Sequence, residues 1–216
     1  MHILITGAAG MIGRKLLERL VRDGGLGGKP VSHVTLQDLF PATVPAGAVY
    51  TADVIVSDFT EAGEAVRLVA NRPDVVFHLA AVVSGDAEAD FDKGYRVNLD
   101  GMRQLLEAIR AIGAPYKPRF VFTSGGAVFG TPLPDPIDDE FMAAPLSSYG
   151  TQKASCSCPT TPGAASSTAW ASASRPSAFG LARPTRRPLA SSRESSASRS
   201  TGRKPFFRSP PRSATG

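Results

Sequence analysis

The stretch from Met1 to Gly13 constrains the chain most. His2-Ile3-Leu4-Ile5-Thr6, an apolar run of strand length, passes straight into Gly7-Ala-Ala-Gly10-Met-Ile-Gly13. Arg14 to Arg22 follows with apolar residues at helical spacing. Strand, tight loop and helix are therefore expected in that order. The three glycines have separate roles, because the chain must turn sharply, let a pyrophosphate approach the backbone, and seat the helix on its strand with no side chain between. The helix N-terminus then offers N–H groups and a partial positive charge to phosphates. A glycine triplet flanked in this way reads as a dinucleotide site.

Further along, Asp23 to Pro30 is glycine-rich and reads as a flexible loop, and Val31 to Leu36 as a second strand ending in Gln37-Asp38. A carboxylate at that place accepts hydrogen bonds from an adenosine ribose and repels an extra phosphate, which favours NAD over NADP. A helix cap or a solvated loop acid is the other account of Asp38. Val49 to Val56 reads as a third strand and Glu61 to Asn71 as a helix. Asp58 and Phe59 between them are placed to bracket an adenine ring, although a capping Asp fits equally well. Val75 to Ala81 is a buried fourth strand running into Val82-Val-Ser84, at the edge where parallel sheets bind ligands. His78 within it reads as a structural partner rather than a catalyst.

Asp90 to Ile112 has the pattern of one long helix with Asn98 among its apolar positions, so the amide requires a specific partner. Arg119 to Thr123 is a fifth strand, followed by Ser124-Gly125-Gly126 and a Pro- and acid-rich loop over residues 131–145. Strands alternating with helices predict an α/β, doubly wound parallel sheet of the Rossmann type. Tyr149 and Lys153 then stand four apart and would share one helix face, where an ammonium can favour a phenolate. A phenol titrating near ~10 needs such help to exchange protons at neutral pH.

These residues, in this order, resemble the extended short-chain dehydrogenase/reductase family over about the first 153 residues. The resemblance rests on Gly7-x-x-Gly10-x-x-Gly13, Asp38, His78-Leu-Ala-Ala81, Asn98 in Tyr-Arg-Val-Asn-Leu-Asp-Gly, and Tyr149-Gly-Thr-Gln-Lys153. Within the family, His78 to Asp92 looks most like the D-erythronate dehydrogenase group. The likeness implies NAD lying along Gly7, Gly10, Met11, Ile12 and Gly13, with Asp38, Asp58, Phe59, Leu79, Ala80 and Ala81 beside it. It also implies Tyr149 as acid/base, Lys153 lowering its pKa and holding the nicotinamide ribose, and Asn98 holding a relay water or the helix geometry. Ser84, Ser124, Gly125 and Tyr149 would meet the substrate, a small sugar acid losing hydride from a secondary alcohol. A nucleotide-sugar epimerase or dehydratase is the alternative within the same fold, and a homodimer is the implied assembly.

One position departs from the family. Relatives read Phe-Thr-Ser-Ser before Ala-Val-Phe-Gly, and this chain reads Phe122-Thr-Ser124-Gly125-Gly126, so the position of the substrate-binding serine is Gly125. Ser124 is the nearest hydroxyl. A lost transition-state donor commonly costs ~10²-fold or more in rate.

Composition changes abruptly after Lys153. Residues 1–153 hold 14 Lys and Arg against 18 Asp and Glu, whereas residues 154–216 hold 10 against 1, and the net +5 of the chain comes from that second part. Fifteen serines, eight prolines and nine arginines without hydrophobic periodicity predict a truncated sheet followed by a disordered tail. Residues 1–153 are thus expected to be an NAD-binding domain and 154–216 a low-complexity appendage. Pro159, Pro162 and Gly163 would stop the tyrosine helix early, disrupting the helix on which the family dimer is built.

A reading-frame shift explains the change. Ser155 to Trp170 can be encoded so that the neighbouring frame reads ELLLPDYSRRGFLDGVG, and the continuation yields IRLPTICVRPG and REPLNG, resembling the family's next strand and substrate loop. A basic nucleic-acid-binding arm, using Arg186-Arg187 and Arg203-Lys204, is the reading from another class. With Phe206-Phe207 as its only aromatic platform, the composition argues against nucleic acid as a partner. Cys156 and Cys158 have no His or further Cys to complete a metal site, and no metal is expected. No apolar stretch reaches membrane-span length, and the N-terminus enters a strand without a signal-like segment, so a cytoplasmic location is expected.

Overall fold

The computed structural model describes residues 1–157; the tail expectations beyond them lie outside the described residues. Five parallel strands form the sheet: β1 (His2–Thr6), β4 (His33–Asp38), β5 (Thr51–Val56), β6 (Val75–His78) and β7 (Arg119–Phe122), in spatial order β5-β4-β1-β6-β7. β1 lies at the centre, paired with β4 on one side and β6 on the other. This is the doubly wound arrangement, with the strand order reversing next to β1.

Alternation along β1 explains the layers. Ile3 and Ile5 face helix α1 (Met11–Asp23) and pack with Leu17, Leu20, Val34 and Leu36. Leu4 points to the other face, where Leu68 of α2 (Glu64–Val69) and Leu105 of α5 (Gly101–Ile112) pack with Val76, Phe120 and Phe122. Both faces of a parallel sheet are buried, so β1 carries apolar residues at every interior position.

Two local expectations change. The glycine-rich loop contains a two-strand hairpin, β2 (Gly25–Leu26) with β3 (Lys29–Pro30), turned through Gly27 and Gly28 at φ +59° and +78°. Positive φ at both central residues is what a tight hairpin requires. Residues 39–50 form no helix between β4 and β5, consistent with Pro41, Pro45 and Gly47. The long helix expected over Asp90 to Ile112 is interrupted. After α3 (Ser84–Ala89), which the sequence pattern did not reveal, come α4 (Phe91–Tyr95), a π turn over Arg96–Asp100, and α5. Asp90 caps α4 by accepting from the Lys93 N–H at 3.0 Å. The last described element is α6 (Ser148–Ser157).

Candidate dinucleotide site and reaction centre

The glycine loop leaves β1 at the carboxyl edge of the sheet. Gly7 has φ +75°, and a Cβ there would stand 2.5 Å from the Ala80 backbone nitrogen. A Cβ on Gly13 would stand 2.5 Å from the carbonyl oxygens of Gly7 and Ala8. Gly7 therefore permits both the turn and the approach of the loop to the end of β6, and Gly13 seats α1 on the loop. Gly10 precedes α1 without a side-chain cap, so no side chain competes for the helix N-terminus. Met11 is exposed in the first turn and Ile12 half-buried.

Asp38, at the end of β4, is bound to this loop. Its carboxylate accepts from the Ala9 N–H at 2.9 Å and from the Phe40 N–H at 3.2 Å. A cleft of about 400 Å³ opens here, lined by Gly10, Arg14, Asp38, Phe40 and Thr43 among others. Arg14, Phe40 and Thr43 carried no motif of their own, although a phenylalanine two residues beyond the strand-end acid, 70% exposed in the fold, is an available signal.

Asp58 and Phe59 separate in role. The Asp58 carboxylate accepts from the Thr60 N–H at 2.9 Å, the Thr60 hydroxyl at 2.7 Å and Arg96 Nη1 at 3.2 Å. Although burial opposes it, these donors hold the acid below its usual range. The Phe59 ring is buried in the core, so close to Gly101 that a Cβ there would be blocked, and it lies edge-on to His78. The Phe59 ring thus belongs to the packing beneath the sheet edge, which leaves only the backbone of Phe59 at that edge beside Asp58.

His78 is structural, as expected. Its Nδ1 pairs with Thr6 Oγ1 at 2.8 Å, and burial, assisted by the nearby Lys153 charge, lowers its pKa to about 3. The ring is neutral at neutral pH. Leu79 continues the pairing to Thr6 through its N–H, Ala80 lies against Gly7, and Ala81 is exposed beyond them.

Asn98, in the π turn and 2% exposed, has the partners its burial demands. Its Oδ1 accepts from the Val82 N–H at 2.9 Å, and its Nδ2 donates to the Val82 carbonyl at 3.0 Å and to Gln152 Oε1 at 2.8 Å. Gln152, fully buried, donates in turn to Ser148 Oγ at 2.9 Å. The π turn thus ties the loop after β6 to the tyrosine helix, in keeping with the functional bias of such turns. Gln152 carried no sequence signal, being a polar residue between the two residues of interest. Ser147 and Glu88 cap α6, accepting from the N–H groups of Gly150 at 3.0 Å and Tyr149 at 2.9 Å. Glu88 lies on α3, which Ser84 opens in an exposed position.

Tyr149 and Lys153 share a face of α6, with Lys153 Nζ 5.9 Å from the phenol ring centroid. Burial raises the Tyr149 pKa and lowers that of Lys153. The expectation of a phenol held low by the ammonium is corrected: the lysine lies toward the ring, and desolvation prevails. A Cβ built on Gly125 would stand 3.6 Å from Tyr149 Oη. Gly125 therefore faces the Tyr149 hydroxyl with no side chain of its own. Ser124 Oγ is buried without a hydrogen-bonding partner among the described residues. Cys156 is half-buried and its thiol donates to the Asn98 carbonyl at 3.2 Å, while Cys158 lies outside the described residues.

These features fit a dinucleotide: a cradle that a Cβ would fill, an acid pre-set for a diol, and a buried cation beside a phenol. Residues 3–158 match the NAD dependent epimerase/dehydratase family. The D-erythronate dehydrogenase of Cupriavidus necator is 43% identical over 159 residues, covering 71% of this chain and 48% of that protein. A solved nucleoside-diphosphate-sugar epimerase from Agrobacterium tumefaciens is 62% identical with a TM-score of 0.69, covering 72% of this chain and 46% of that one. The UDP-glucose 4-epimerase of Thermus thermophilus, solved in complex with NAD, is 29% identical with a TM-score of 0.59, covering 73% and 49%. The chain spans about half the length of the curated relatives it matches. On this shared sequence and fold, the chain belongs to the NAD dependent epimerase/dehydratase family.

Proposed function

We propose that residues 1–153 are the cofactor-binding domain of an NAD-dependent oxidoreductase acting on a small sugar acid such as D-erythronate. One observation carries the cofactor assignment: Gly7 meets the Ala80 backbone while Asp38 is held by the Ala9 N–H, so glycine loop and acid form one rigid edge. Asp38 would accept from a ribose diol, the first turn of α1 would face the phosphates, and Asp58 with the Phe59 backbone would border the base. Bound NAD supplies the hydride acceptor for oxidation of a secondary alcohol.

Tyr149 Oη is the atom positioned to take the alcohol proton. Burial raises its pKa, so the phenol is uncharged at rest and must first release its own proton to solvent; the nearby charge of Lys153 would favour the phenolate that then takes the alcohol proton. Asn98 and Gln152 fix the depth of α6 and with it the place of Lys153. At Gly125 no hydroxyl meets the alcohol oxygen, which leaves turnover impaired by ~10²-fold or more.

The sugar-acid substrate is supported by the likeness to the Cupriavidus dehydrogenase. Likeness to epimerases of known structure favours a second reading, interconversion of a nucleotide sugar. Residues from Ala154 onward are read as a shifted frame, supported by the family-like sequence in the neighbouring frame. A homodimer through the tyrosine helix is the assembly consistent with the family. Among the described residues no helix is long and apolar enough to cross a membrane, and none of their acids, histidines and cysteines group as a metal site.

Fresh DNA sequence across the codons for Tyr149 to Pro162 tests the frame: an extra or missing nucleotide is expected, and an unchanged read contradicts the shift. In a frame-restored chain, D-erythronate should produce NADH. No NADH, together with interconversion of a UDP-hexose, would favour the epimerase instead.

A further inference from the structure

The π turn is held from two sides, and the sides belong to opposite ends of the site. Arg96 and Gly101 close the turn, the Gly101 N–H donating to the Arg96 carbonyl five residues back. Both residues also grip the segment that follows β5. Arg96 Nη1 donates to Asp58 Oδ2 at 3.2 Å and to Thr60 Oγ1 at 2.8 Å, and the Thr60 hydroxyl donates to Asp58 Oδ1 at 2.7 Å. Phe59, between them, packs on Gly101, where a Cβ would meet its ring. Residues 58–60 are therefore seated on the outside of the turn.

The inside of the same turn presents Asn98, which meets Val82 and Gln152 and through Gln152 reaches α6. A π turn carries one residue more than the helix on either side of it, so its shape depends on the side chains that support it. On the outside that support is an ion pair with both partners partly in solvent, 51% and 29% exposed, and such a pair is weak alone. A ligand that holds Asp58 removes the freedom of the support and stiffens the turn.

We propose that Arg96 is a positioning residue that makes the order of the tyrosine helix depend on the adenosine end. With Asp58 held by a bound nucleotide, Arg96 fixes the π turn, the turn fixes Asn98 and Gln152, and α6 opens less often. The proposal rests on the dinucleotide reading, in which Asp58 borders the base.

The probe is ADP, which carries the adenosine and two phosphates but no nicotinamide ribose to touch Tyr149 or Lys153. Backbone amide exchange of the full chain, followed by mass spectrometry with and without saturating ADP, reads both ends at once. In the parent, ADP should slow exchange over residues 7–14 by contact and over residues 149–153 by about fivefold, the low end of coupling between sites. Arg96→Ala should keep the first effect and lose the second. Thr60→Val, which removes the hydroxyl shared by Asp58 and Arg96, should reduce the second, and Arg96→Lys, which keeps a charged donor, should restore part of it. Arg103→Ala removes a charge paired with Asp100 on the same helical stretch and should leave both effects unchanged.

Slowing over residues 149–153 that persists in Arg96→Ala would overturn the proposal and leave the dinucleotide site standing. So would a parent in which residues 7–14 respond to ADP and residues 149–153 do not. No response to ADP anywhere in the parent chain would remove both.

Discussion

The two ends of the candidate site are built to different standards. At the adenosine end the geometry is set by backbone: Gly7 against Ala80, Asp38 against the Ala9 N–H, and β1 buried on both faces. At the reaction end it depends on side chains borrowed from several elements. Asn98 and Gln152 brace α6, Glu88 and Ser147 cap it, and Tyr149 faces a glycine where the family pattern implied by the sequence resemblance would place a serine. On the proposed reading, dinucleotide recognition and hydride transfer would rest on separate parts of the chain, so that the first would not depend on the second.

The sharpest way to break the contrast is Gly7→Val. Its Cβ would meet backbone at 2.5 Å and its φ of +75° is hostile to a branched residue. A loss of about 3–6 kcal/mol is expected, with nucleotide binding abolished, checked by urea unfolding and NADH titration. A variant that binds normally would show that the loop is more pliant than its packing implies.

Asn98→Ala comes next, stranding the Val82 N–H and carbonyl and Gln152 Oε1 in the interior. About 3 kcal/mol of stability should be lost, with a melting temperature lower by roughly 10 °C. If the brace serves the reaction end, proteolysis should first sever α6 while the β1–β4 edge stays protected.

His78 gives the pH dependence. Its folded pKa, about 3, lies below the unfolded 6.5, so the unfolded chain binds the proton first. Stability contributed by the neutral ring is complete above about 6.5 and is lost as pH falls toward about 3, with a limiting slope of about 1.4 kcal/mol per unit. Denaturant titrations at pH 7 and 5 should differ by about 2 kcal/mol from this group, and His78→Gln should flatten the difference.

Gly125→Ser should have the smallest effect. A Cβ there meets only Tyr149 Oη at 3.6 Å and Cε1 at 3.8 Å, which is ordinary contact. NADH affinity should change less than about twofold, and turnover of this chain with D-erythronate should not return. Recovery of activity would identify the glycine, and not residues 154–216, as the main defect.

How much of this could be read in advance follows the same division. The glycine turn at Gly7 and Gly13, the place of Asp38 at a strand end and the five strands were legible because apolar runs of strand length and glycine spacing are local signals. The hairpin at Gly27-Gly28 was missed because its strands are only two residues each. The π turn at Asn98 was hidden within a helical pattern that continues on either side. Gln152 and Glu88 act through partners distant in sequence, and no spacing rule points to them. The position of Phe59 was legible but the direction of its ring was not: it turns inward to His78.

The measurement that bears most directly on the separation of binding from turnover is an NADH titration of the full chain, by the fluorescence of the reduced nicotinamide, with Gly7→Val and Gly125→Ser alongside. Saturable binding of one NADH per chain, unchanged in Gly125→Ser and lost in Gly7→Val, is the predicted result. Absence of saturable binding by the parent chain would contradict it.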